Sequence, residues 1–254
     1  SLPETIAISP NAYAERNRDK MKRKIRYLLP ALLFLLGAAI LLYPPLSSFW
    51  NQRRQDTQIA AYRQTMAALD AADRAAQRAA AQAYNDGLPR DFHDAFTGRQ
   101  PPEDDLYWSL LDPNGTGVMG YLEIPKIGVR LSIGHGTDED TLLCGIGHLA
   151  GTSLPIGGAG THCILTGHSG LPSAKLLTDL DQMRSGDCFF LYVLGEKYTY
   201  EVDQVLTVEP DQVETLLPVD GETLVTLVTC TPYGVNTHRL FVRGHLIQVE
   251  LSPE

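Results

Sequence analysis

Two short segments carry residues that can do covalent chemistry together. Leu165-Thr166-Gly167-His168-Ser169-Gly170-Leu171-Pro172 reads as an apolar strand that stops at a histidine flanked by glycines. Thr226-Leu227-Val228-Thr229-Cys230-Thr231-Pro232-Tyr233-Gly234 reads as a β-branched strand that ends in a cysteine and then turns. Nine residues beyond the cysteine, Arg239 opens another apolar strand. A hairpin between Cys230 and Arg239 would bring both side chains to one end of a sheet. A thiol at a strand end can open to a cleft, where its thiolate is a nucleophile favoured by a nearby imidazole or guanidinium. His168 could then protonate a departing amine and deprotonate an incoming one. Arg239 could hold a developing oxyanion, or fix a substrate backbone with its fork of donors. Taken singly, each of these residue types is more often structural or solvated. The combination is what points to nucleophilic catalysis.

The elements that must position these groups are mostly strands. Runs at Met119–Ile124, Val129–Ile133, Cys163–Thr166, Cys188–Val193, Tyr198–Val208, Thr223–Cys230 and Arg239–Leu251 are split by Gly and Pro turns. Short helical pieces are expected near Asp138–Cys144, Ala174–Gln182 and Asp211–Leu216. Many short strands with few helices predict a closed barrel or a sandwich over residues 118–254. Ahead of it, residues 87–117 read as a long loop with Pro101-Pro102, Gly115 and Gly117. Residues 47–86 read as a stalk helix. Ile59, Tyr62, Met66, Leu69, Ala76, Ala80 and Ala83 recur there at helical steps as one apolar stripe, and Asp86-Gly87 and Pro89 end it. The stripe is expected to pack on the body, being too Ala-rich for a coiled-coil seam.

Residues 27–46 are almost wholly apolar and uncharged. Twenty helical positions reach roughly 30 Å, enough to cross a bilayer core. Lys20, Lys22, Arg23, Lys24 and Arg26 precede the run, which predicts a cytoplasmic N-terminus over 1–26 and the body outside. A cleaved signal peptide shares these features, but the run is long for one and no small-x-small site follows Leu46. Residues 1–46 carry seven Lys or Arg against three Asp or Glu, whereas the rest of the chain is strongly acidic and brings the total to −9. An acidic body argues against nucleic acid as a partner.

The four cysteines, Cys144, Cys163, Cys188 and Cys230, form no CxxC pair and no dense disulfide pattern; pairing among them stays open. His162 and Cys163 with His168 fit no common zinc spacing, so neither a metal nor another cofactor is expected. His148 is expected to be structural. His238 adjoins Arg239, and strand alternation would turn its side chain the other way.

Together these motifs resemble the sortase family, and within it the class C or pilus-assembling sortases. Thr226-Leu227-Val228-Thr229-Cys230 matches the family's TLxTC signature, Thr166-Gly167-His168 the histidine segment, and Asn236-Thr237-His238-Arg239-Leu240 the arginine segment. Residues 119–127 and 147–155 match as well, so the resemblance is dense from about Tyr107 to Leu246. It implies an eight-stranded β-barrel and a two-step transpeptidation without a cofactor. Cys230 would attack the Thr–Gly bond of an LPxTG-like signal on a pilin or other surface protein. The resulting thioacyl group would pass to an acceptor lysine amine. The resemblance also implies a lid with an Asp-Pro-aromatic motif. Asp94-Ala95-Phe96 fits that role, with Asp94 facing Arg239 and Phe96 over Cys230; Asp112-Pro113-Asn114 is set aside because it lacks an aromatic residue. Two other classes compete: a cysteine peptidase that hydrolyses, and a surface-protein binding module without activity. The family's second, C-terminal membrane segment is not expected before Glu254.

Overall fold

The computed structural model describes residues 10–89, 105–171 and 174–252; Asp94 and Phe96 lie outside them. The chain divides into two units, residues 1–46 and 47–254. Helix α1 (Pro10–Ala68) begins in the first. Its Leu28, Leu32, Phe34, Leu36 and Leu41 are all more than half exposed. A helix with apolar side chains all round is a membrane-span candidate. It is the one such helix among the described residues. Pro30, Pro44 and Pro45 lie within α1 without ending it.

In the second unit, α1 stops at Ala68 and α2 (Ala71–Gly87) starts afresh, its first turn capped where the Asp70 carboxylate accepts from the Asp73 N–H at 2.7 Å. The single stalk helix expected over 47–86 is therefore two helices. On α1 the expected stripe is the buried one: Ile59, Tyr62 and Met66 are in the core. On α2 it is not, and Ala76, Ala80 and Ala83 face outward. The break resets the helical register, and polar side chains then choose the face. The Asn85 amide accepts from Leu154 N at 2.7 Å and donates to Leu154 O at 3.3 Å. Arg78 pairs with Glu196 and donates to the Tyr198 hydroxyl at 2.6 Å. Gln77 accepts from Leu111 N at 3.2 Å. Alanines carry too little apolar surface to outweigh such contacts.

The region expected as loop holds a short helix, α3 (Asp105–Ser109), because Tyr107 is completely buried. Its hydroxyl lies 2.9 Å from Nδ1 of His148 and accepts from Gly136 N at 3.0 Å. Asp112 closes the turn before the barrel by accepting from Thr116 N and Gly117 N at 2.9 and 2.8 Å.

Eight strands follow: β1 (Val118–Ile124), β2 (Val129–His135), β3 (Ile146–His148), β4 (Thr161–Thr166), β5 (Cys188–Val193), β6 (Glu196–Val208), β7 (Thr223–Thr231) and β8 (His238–Leu251). They close in the order β1-β2-β3-β4-β7-β8-β6-β5, with β2–β3 and β4–β7 parallel and the rest antiparallel. Helix α4 (Glu139–Cys144) makes the short β2–β3 crossover, with Asp138 as its N-cap. Expected helical pieces at Ala174–Gln182 and Asp211–Leu216 shrink to single 3-10 turns, Leu180–Gln182 and Glu214–Leu216.

Strands β4, β7 and β8 are packed on both faces. Cys163, Leu165, Val225, Leu227, Leu240 and Val242 belong to the main core. Ile164 and Phe241, with Val228 against them, belong to a second, smaller layer completed by Val213 and Leu216. This is why β4, the body of β7 and the Leu240–Val242 stretch of β8 read as short continuous runs of buried residues rather than alternating ones.

Candidate active site

Cys230 sits on β7, one residue from its end, and its register partner on β8 is Arg239. Directly paired residues put their side chains on one face, with Cβ atoms about 5 Å apart. Two-residue periodicity places Val228 and Thr226 on that face of β7 and Phe241 on that face of β8. It is thus the face of the second apolar layer, not the main core, and both Cys230 and Arg239 are half-buried there. The Arg239 guanidinium donates to the carbonyls of Asn236 and His238 at 3.3 and 3.2 Å. Among the described residues no carboxylate pairs with it.

His168 arrives from the parallel neighbour. Thr166, the last residue of β4, is level with Val228, and Gly167 N carries the ladder one step on by donating to Val228 O at 3.0 Å. Two residues beyond that pair on each strand stand His168 and Cys230. A glycine at position 167 lets the chain leaving β4 pack closely against β3 and the segment that follows His168. A Cβ on Gly167 would lie 2.8 Å from Ile146 Cγ2 and 3.0 Å from Leu177 Cδ1. The Thr229 hydroxyl, buried under the same crossing, donates to Gly167 O at 2.7 Å. Cys230 and Arg239 therefore share one end of one sheet face, and His168 follows the neighbouring strand β4 by two residues at that same end.

His162, weighed in the sequence only as a metal ligand and rejected as one, has a structural role instead. Its Nδ1 donates to Leu217 O at 3.1 Å and its Nε2 accepts from the Thr226 hydroxyl at 2.8 Å, the arrangement a neutral ring satisfies. Burial, opposed by the Leu217 carbonyl, pulls its pKa down to about 4. Thr226 of the TLVTC segment thus fixes a ring that in turn holds the β6–β7 segment against β4 and β7. The threonine in the motif was the available signal; its partner lies across a loop that spacing does not reveal.

The remaining expectations sort as follows. His148 is fully buried, with Nε2 donating to Ser153 O at 3.0 Å and burial lowering its pKa to about 4. His238 stands 3.2 Å from the Glu209 carboxylate, away from Cys230. All four cysteines are free thiols, and burial pushes the Cys163 thiol far up. No group of three or more His, Cys, Asp or Glu among the described residues is placed to hold a metal ion.

Residues 122–247 match the model of the sortase domain. The fold is similar to sortase C1 of Streptococcus agalactiae, with 45% identity over 76% of this chain and 98% of that one, at a TM-score of 0.70. It is also similar to sortase C of Streptococcus pneumoniae, whose structure is described as informing catalysis and pilin substrate specificity (40% identity, 78% and 100% covered, TM-score 0.68). A lid mutant of sortase A from Corynebacterium diphtheriae is similar at 37% identity, with 71% and 97% covered and a TM-score of 0.64. A closed eight-stranded barrel of this topology, matched over almost the full length of such relatives, makes the chain a member of the sortase family, of its class C kind, and so a cysteine transpeptidase.

Proposed function

We propose that this enzyme cleaves an LPxTG-like sorting signal and joins the acyl part to a lysine amine of a pilin subunit. Cys230 is the nucleophile, His168 the proton donor and acceptor, and Arg239 the holder of the oxyanion or substrate backbone. The observation that supports this reading is the direct pairing of Cys230 with Arg239, beside the end of the neighbouring strand β4 that His168 follows by two residues. The Cys230 thiolate adds to the threonine carbonyl; the Thr–Gly bond then breaks, and the leaving amine takes its proton from His168. The lysine amine attacks the thioester, gives a proton to His168, and leaves as an isopeptide while the thiol is freed. A guanidinium beside the reacting carbonyl stabilises the tetrahedral oxygen as charge grows on it. The similarity to the Streptococcus pneumoniae sortase C, described by its pilin specificity, supports pilin as the substrate class.

Asp94 and Phe96 form the lid in this reading, supported by the similar Corynebacterium diphtheriae protein, which has a lid that can be mutated. In the same reading residues 1–26 stay in the cytoplasm, 27–46 cross the membrane once and the catalytic unit stands outside, a topology supported by the basic flank Lys20–Arg26.

The test uses the full chain in detergent, carrying Phe96→Ala, incubated with an LPxTG-type peptide and followed by intact mass. An acyl adduct is expected on Cys230 and is lost in Cys230→Ala. Adding a lysine-bearing pilin should convert the adduct to an isopeptide product. Release of free acid at the same rate with and without pilin would establish a hydrolase instead.

A further inference from the structure

We infer that Tyr233 is a positioning residue: its ring, laid against Gly170, ties the loop that carries His168 to the hairpin that carries Cys230. The inference rests on the roles proposed for those two residues and adds one that no motif assigned.

Gly170 follows His168 by two residues, and Tyr233 follows Cys230 by three. A Cβ placed on Gly170 would lie 3.2 Å from Cε2 and 3.3 Å from Cδ2 of Tyr233, and 3.5 Å from Gly234 N. The aromatic edge therefore fills the space that a side chain at position 170 would need. Gly170 also has φ of +78°, so a side chain there is disfavoured by the backbone as well as by the ring. Tyr233 is otherwise 64% exposed, and Val235 beside it is 65% exposed. Packing beside Gly170 is the role the inference assigns to this solvent-exposed ring.

The opposite side of the His168 loop is already held. Leu177 N donates to His168 O at 3.1 Å, and Gly170 N donates to the Thr178 hydroxyl at 3.1 Å. These bonds fix the loop to the segment that follows it, not to β7. On the β7 side the ladder ends at Gly167, with its bond to Val228 and the Thr229 hydroxyl behind it. Beyond Gly167, Tyr233 and Gly234 N stand next to Gly170 where the two segments meet. Without the ring, His168 keeps its own anchors and the hairpin keeps its own, but the gap between imidazole and thiol is free to vary. Displacement of a reacting group by about 1 Å is enough to cost two orders of magnitude in rate.

The experiment compares Tyr233→Ala, Tyr233→Phe and Gly170→Ala in the full chain, with two independent readouts. Amide hydrogen exchange reports the tie without any substrate. In Tyr233→Ala, exchange over 168–171 should rise about tenfold while β4 stays protected, and Tyr233→Phe should match the parent protein. The saturated rate of Cys230 acylation should fall about tenfold in Tyr233→Ala and Gly170→Ala, with KM within about twofold and the rate kept in Tyr233→Phe. The double variant Tyr233→Ala/Gly170→Ala should be no slower than the slower single, because the ring that the added methyl would displace is already gone and only the backbone cost at position 170 remains. Unchanged exchange over 168–171, multiplicative losses in the double variant, or a raised KM with the saturated rate intact would each overturn the inference. If the parent protein forms no adduct at all, the proposed function fails, and the exchange result still decides whether the tie exists.

Discussion

At the scale of single residues, the candidate site depends on donors and acceptors that have only one workable arrangement. Arg239→Lys keeps the charge but loses the fork. Its saturated acylation rate should fall by about 10²–10³ with the melting temperature unchanged, measured by single-turnover mass spectrometry and calorimetry. His168→Ala should lose a comparable 10²–10⁴ and retain the fold, since general acid–base assistance is worth about that much. Thiol labelling of the native protein should spare Cys163, whose thiol is buried and pushed far towards the protonated form, and reach it only after unfolding. The positions of Cys230, His168 and Arg239 at strand ends were legible in the sequence because apolar runs stop there at Gly or a turn. The Thr226–His162–Leu217 chain was not, because its partners lie 64 and 55 residues apart and meet only when β4 and β7 pair.

At the scale of elements, legibility followed how much of each segment's burial is apolar. Seven strands declare themselves by β-branched runs; β3 is only Ile146–His148 with a glycine at its centre, too short for any period. Helix α2 shows the opposite failure, since its docked face, centred on the buried Ala81, is pinned by Asn85, Arg78 and Gln77 rather than by the stripe Ala76, Ala80 and Ala83. Asn85→Leu should therefore destabilise the catalytic unit by about 1–3 kcal/mol, because it strands the buried N–H and C=O of Leu154. Urea unfolding with an unchanged m-value would record it. Ala80→Ser on the exposed side of α2 should cost less than about 0.5 kcal/mol in the same assay.

At the scale of the whole molecule, two buried neutral rings make stability depend on pH. His148 and His162 each titrate near 4 in the folded chain and near 6.5 when unfolded. Between those values the unfolded chain binds more protons, so stability is full above about pH 6.5 and falls as pH drops towards 4. Each ring contributes up to about 3 kcal/mol to that loss. Calorimetry at pH 7 and pH 4.5 should show the drop, and His148→Gln should flatten its slope. Alkaline carbonate washing should leave the full-length protein in the membrane fraction if residues 27–46 are retained as an anchor; release into the supernatant would contradict it. The two-sided packing of β4, β7 and β8 also sets terms for re-engineering. The strands that bear the thiol and the guanidinium are braced from below by the barrel interior and from above by Val213 and Leu216. A foreign segment grafted between β6 and β7 can alter what is presented to the thiol, provided it returns two apolar anchors and a carbonyl for His162 at the old positions. Grafts that omit those three points would spoil the nucleophile's bed rather than its clientele.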